Sequence, residues 1–66
     1  MSRTRRDDIA ELARTRPTAA LQQGLAVSRE ALADAVPGSY EEGFDLDCVV
    51  AISQELDLRR RADHAR

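Results

Sequence analysis

The sequence predicts an all-α fold: a small three-helix domain, completed by oligomerisation. Apolar residues recur at three- and four-residue spacing in three separate segments. The two prolines, Pro17 and Pro37, fall between those segments, where they punctuate helices without breaking them. Sixty-six residues make a single domain over 1–66, with a core small for the chain entropy it must offset.

The first helix is expected over about 4–15. Thr4 and Asp7 stand three apart at its start, a capping box with Asp in place of Glu. Asp7 and Asp8 also suit the positive end of the helix dipole. Ile9, Leu12 and Ala13 then share one face. Arg14 and Arg16 lie near the negative end, and Pro17 pushes Arg16 out of helical geometry, so the helix stops near Thr15.

The second helix is expected over about 18–36, with Pro17 where a missing N–H does no harm. Leu21, Leu25, Ser28, Leu32 and Ala35 form a narrow apolar seam, widened by Val27, Ala31 and Val36. Gly24 interrupts it at a cost of roughly 1 kcal/mol relative to Ala. It marks either a close helix approach or a break.

Pro37-Gly38-Ser39 then opens an acidic loop over 37–44, with local capping by Ser39 and Glu42. Tyr40 and Phe44, the chain's two aromatic residues, lie four apart within it. They are expected to fold back as a clasp over the helix ends, with a partner-binding patch as the alternative.

Asp45 is the expected N-cap of the third helix, over about 45–61. Leu46, Val49, Val50, Ser53 and Leu56 follow one face, broadened by Cys48 and Ile52. Val49 to Ile52 would also make a short strand by residue type, but Gln54, Glu55, Leu56 and the Arg run favour helix. Arg59 to Arg61 suit the negative end of the dipole. Residues 62–66 are expected as a disordered tail.

Composition explains why association is expected. Eleven residues are alanines, which contribute little burial each. Cys48 is the single cysteine and His64 the single histidine, so neither an intrachain disulfide nor a Cys/His metal site can staple so short a chain. A homodimer or a protein partner is the remaining route. The expected oligomer seams are Leu21, Leu25 and Leu32 on the second helix, and Val49, Ile52 and Leu56 on the third.

No apolar run approaches the ~20 residues of a membrane span. The Arg-rich start has no apolar stretch of a secretory signal, and with one cysteine the expected location is cytoplasmic. Arg is used to the exclusion of Lys, and Asn is absent, a bias that fits a GC-rich bacterial genome.

Charge is distributed in blocks. Residues 1–16 carry +2 (five Arg against three acids) and 17–36 carry −1, whereas 37–58 carry −6 and 59–66 carry +3, which together give the net −2. The acidic block holds Glu41, Glu42, Asp45, Asp47, Glu55 and Asp57 with no cation among them. Acid–base catalysis requires a pocket that shifts such carboxylates, and this chain is too small to enclose one. Asp45, Asp47 and Glu55 do not follow a calcium-loop spacing. Cys48 lies by an apolar face and reads as a small buried hydrophobe. The three glycines are scattered and make no phosphate loop. No enzyme activity, cofactor, metal or small-molecule substrate is expected.

The segment Leu25-Ala26-Val27-Ser28-Arg29-Glu30-Ala31-Leu32 resembles the turn and recognition-helix start of helix-turn-helix regulators. The resemblance implies a supporting helix over 18–24, a turn at Gly24 and Ala26, and a recognition helix over 29–36 capped by Ser28. Arg29 would then read DNA, with Arg5 and Arg6 as a basic arm. The chain departs from the pattern at Gln22, where a small residue is usual, and at Ala26, where Gly is usual. Glu30 and Asp34 also repel phosphate.

The favoured expectation is therefore a non-enzymatic protein-protein interaction or regulatory module, an adaptor or antitoxin-like inhibitor. Its partner-binding surface would comprise Glu41, Glu42, Asp45 and Asp47 with Tyr40 and Phe44, facing a basic target. A DNA-binding regulator is the alternative.

Overall fold

A computed structural model describes residues 2–64. Three α-helices follow in order: α1 (Arg5–Arg14), α2 (Thr18–Asp34) and α3 (Tyr40–His64). No strand occurs among the described residues.

α1 starts as its capping box dictates. The Asp7 N–H donates to Thr4 Oγ1 at 3.1 Å, and the Thr4 N–H donates to Asp7 Oδ2 at 3.1 Å. The Thr4 N–H, and after it the Thr4 hydroxyl, favour the ionised carboxylate and hold the Asp7 pKa below its ordinary value. At the other end the Thr15 hydroxyl donates to the Leu12 carbonyl at 2.7 Å, closing the helix two residues before Pro17.

α2 runs unbroken from Thr18 to Asp34. The turn implied by the helix-turn-helix resemblance does not form: Gly24, Ala26 and Ser28 all lie inside one helix. Neither Gly24 nor Ala26 is enough to stop a helix whose neighbours are good helix formers. Its end comes slightly before the expected residue 36, because Ala35 is already extended ahead of Val36 and Pro37. The Ser39 N–H then donates to the Val36 carbonyl at 3.0 Å across Pro37 and Gly38. With proline second and Gly38 third at φ 80°, this corner fits a type II turn, whose third position calls for glycine.

The largest correction concerns the acidic loop. Only its first residues are loop; Tyr40 to Phe44 form the first turn of α3, so Asp45 lies inside a helix and caps nothing. Ser39 performs the capping instead, accepting the Glu42 N–H on its hydroxyl at 3.2 Å. The Glu42 carboxylate reaches back to the Gly38 N–H at 3.0 Å. Glu41 and Glu42 favour the positive end of the dipole, which together with this cap outweighs Gly43. The Val49–Ile52 stretch is helical, and α3 continues through residues 62–64, expected as tail; the last two residues of that expectation, 65 and 66, lie outside the described residues.

α3 is the spine. Both α1 and α2 pack on it and barely on each other. α1 runs parallel to α3, with Arg5 beside Asp47 and the Ala13 carbonyl beside Arg59. α2 runs antiparallel, with Thr18 beside Arg59 and Gly24 beside Ile52. The result is flat, 42 × 32 × 16 Å. Ala13, Leu21 and Ala51 are the buried hydrophobic residues, two of them small residues that let helices approach closely.

Candidate interaction surfaces

The acidic start of α3 carries the first candidate surface. Tyr40 and Phe44, one helical turn apart, stack with ring centroids 6.4 Å apart. The Arg5 guanidinium lies over both, 5.1 Å from the Tyr40 centroid and 5.5 Å from that of Phe44, a cation–π arrangement. The rings thus clasp one end of α1, yet both stay at the surface: Tyr40 is 71% exposed and Phe44 40%. Leu46 is exposed as well, on another face of α3.

The four carboxylates expected to bind a partner divide into two kinds. Asp47 is turned inward: Oδ2 accepts from Arg5 Nε at 2.9 Å and Oδ1 from Arg6 Nη2 at 3.0 Å. Its side chain is only 17% exposed, and the hydrogen bond from Arg5, then that from Arg6, holds its pKa below the ordinary aspartate value. Glu42 is committed to its cap. Glu41 is exposed and Asp45 half-buried, and no intramolecular ion pair holds either of them among the described residues. Arg5 and Arg6, read as a DNA-contacting arm in the alternative, are the cations that hold Asp47; Arg29 is exposed on α2.

A second polar anchor lies at the opposite end. Arg59, fixed by Glu55 at 2.8 Å, donates to the Ala13 carbonyl at 3.2 Å, the Arg14 carbonyl at 3.4 Å and Thr18 Oγ1 at 3.0 Å. One guanidinium therefore ties the end of α1 and the start of α2 to α3. Nothing in the sequence singled it out from Arg60 and Arg61; only the helix register turns Arg59 inward.

The expected oligomer seams meet in part within one chain: Leu21 and Ile52 line one groove and Leu25 and Leu56 one cleft between α2 and α3. Leu21 is buried, and Leu25, Leu32, Val49, Ile52 and Leu56 are half-buried. Cys48 is half-buried as well; burial first, then Asp45, pushes its thiol pKa up, away from nucleophile chemistry.

Between α1 and α2, above α3, lies an open apolar groove of about 350 Å³ lined by Ile9, Leu12, Ala13, Ala20, Leu21 and Ile52, with Arg16 at its edge. Sequence reasoning put Ile9, Leu12 and Ala13 on one face of the first helix and Leu21 and Ile52 in oligomer seams, without joining them. The groove exists because α1 and α2 diverge, which no spacing along the chain encodes. No three His, Cys, Asp or Glu side chains converge as metal ligands among the described residues, and no helix there is long and apolar enough to cross a membrane. Comparison with protein-family models, curated proteins and solved structures finds no match to this chain.

Proposed function

We propose that the chain is a non-enzymatic protein-binding module that regulates a partner protein, in the manner of an adaptor or an antitoxin-like inhibitor. One observation carries the reading: in a protein with so little core, the two aromatic residues lie on the surface, at the acidic start of α3. Aromatic side chains have the most burial to offer, and leaving both exposed is costly unless something covers them. Glu41 and Asp45 beside them favour a partner with basic residues around an apolar anchor. Asp47 and Glu42 support this surface by fixing its backbone and Arg5.

The test is capture from the native cell extract followed by identification of the captured protein. Tyr40→Ala with Phe44→Ala should abolish capture, and Glu41→Gln with Asp45→Asn should weaken it more at low salt than at high. Capture unaffected by both pairs would exclude this surface. A DNA-reading function predicts instead a shift of promoter DNA that falls steeply with salt and is lost in Arg29→Ala. It is disfavoured because α2 carries no turn at Gly24–Ser28 and because Arg5 and Arg6 are already paired with Asp47.

A further inference from the structure

We infer that the groove between α1 and α2 is covered by the same groove of a second copy of this chain, in a two-fold dimer. The inference is independent of the protein-binding surface on α3, which involves other residues.

The first support is area. The chain exposes 5061 Å². A folded monomer of its 7.3 kDa mass ordinarily exposes about 4,200 Å². The excess of roughly 900 Å² is close to the ~800 Å² that each partner contributes to an interface of standard size. The second support is shape. Domains ordinarily bury their helices between packed layers, but here α1 and α2 pack on α3 and barely on each other, so nothing within the described chain covers the groove between them. A second copy supplies that cover with helices of matching length.

The third support is charge, which distinguishes a second copy from an unlike partner. A third of the residues in this protein are charged, yet from Pro17 to Ser28 there is none, although Ala19, Ala20, Gln22, Gln23, Ala26 and Val27 are all exposed. Val27 lies seven residues from Ala20 and so extends the apolar groove along the same face of α2. Arg16 at the edge is the one charged residue lining the groove; the charge-free stretch of α2 gives no sign by which to select a charged partner, and it faces its own copy without like-charge repulsion. Acids on the neighbouring face of α1 are occupied as well, since Arg3 bridges Asp8 and Glu11.

The groove is also self-complementary, as a two-fold contact requires. Leu12 stands out at its rim, 58% exposed, a projecting side chain beside a hollow floored by Leu21 and Ile52. A two-fold axis near Leu12 seats each leucine in the hollow of the other copy.

Sedimentation equilibrium of the full chain, with thermal midpoints over a hundredfold concentration range, tests the inference. Twice the mass of one chain is expected, with a midpoint that rises with concentration. Leu12→Asp should weaken the dimer by at least about a hundredfold, whereas Leu58→Asp, which alters a leucine equally exposed at 59% but outside the groove, should leave it intact. Should Leu12→Asp fail to fold, Val27→Arg provides the same test farther from the core. A folded monomer at high concentration overturns the inference. So does a dimer insensitive to both groove variants, or a groove that is filled only when an unlike protein is added.

Discussion

α1 and α2 lie on the same helix and are held there by opposite means. α1 is pinned at its ends by charge: Arg5 and Arg6 grip Asp47 at one end, and Arg59 grips its last carbonyls at the other. α2 is held along its length by apolar contact, with Leu21 buried, Leu25 sharing a cleft with Leu56 and Gly24 beside Ile52. The difference reflects their sequences. α1 has ten residues and only Ile9, Leu12 and Ala13 to offer as an apolar face, so its position is set by geometry-specific polar contacts. α2 has seventeen and a longer seam, so that beyond the Arg59–Thr18 hydrogen bond at its start it is held by burial. Attachment of α1 should therefore respond to salt and pH, and attachment of α2 should not.

The strongest way to break the comparison is through α2. Leu21 is 4% exposed and touches the floor shared by all three helices. Leu21→Asp places a carboxylate in that apolar floor, a change expected to unfold the whole chain. Leu21→Ala should cost about 2–5 kcal/mol. Far-UV circular dichroism and a denaturant titration measure both. Retention of a cooperative transition by Leu21→Asp would mean that α2 does not hold the fold.

Arg59→Ala is expected to cost less, about 1–3 kcal/mol, since its hydrogen bonds are charge-assisted but partly reach solvent. Its signature is local as well as global. Amide hydrogen exchange should quicken around residues 13–18, where α1 ends and α2 begins, before it quickens at the centre of α2. Equal acceleration along both helices would show that the guanidinium is no specific clamp.

Asp47 gives the pH dependence. Its folded pKa lies below the ordinary value because Arg5 and Arg6 bind the ionised form. The contribution of the latch is then full above the unfolded-state value of about 3.9 and is lost as pH falls below it through the lower folded value. In that acid window the start of α1 should lose exchange protection while α2 keeps it. Asp47→Asn should produce the same local loss at neutral pH, and added salt a weaker version of it. A start of α1 equally protected in wild type and Asp47→Asn would remove the latch from the account.

What the sequence made legible follows the same division. The cap at Thr4, the corner at Pro37-Gly38 and the seam of α2 are local, and residue type with spacing reveals them. The start of α3 was misplaced because Pro37, Gly38 and Ser39, with Glu41, Glu42 and Gly43 around Tyr40, read as loop; the interaction that decided it, Ser39 with Glu42, was visible but was taken for local capping within that loop. The polar latches were not legible at all. Arg5 and Asp47 are forty-two residues apart, and nothing in either residue announces the other. Of the candidate site, the aromatic pair was recognised and its clasp of Arg5 was not, while the groove depends on the angle between α1 and α2, a property of packing.

The smallest expected effect sharpens the claim that α2 is held by general burial and not by close fit. A Cβ added at Gly24 would meet Ile52 Cδ1 at 3.7 Å, ordinary van der Waals contact, so glycine is not required for α2 to approach α3. Its backbone is helical, with a φ that any residue adopts. Gly24→Ala should then gain helix propensity and reduce unfolded-chain entropy without a steric penalty, stabilising the protein by roughly 0.5–1 kcal/mol. The control is Gly38→Ala, where φ is 80° and an alanine is strained, so that loss of stability is expected from the same chemical change. Opposite signs in paired denaturant titrations would support a tolerant α2·α3 interface. Destabilisation by Gly24→Ala would mean that the two helices fit there more tightly than 3.7 Å implies, and that α2, like α1, is positioned by a specific contact.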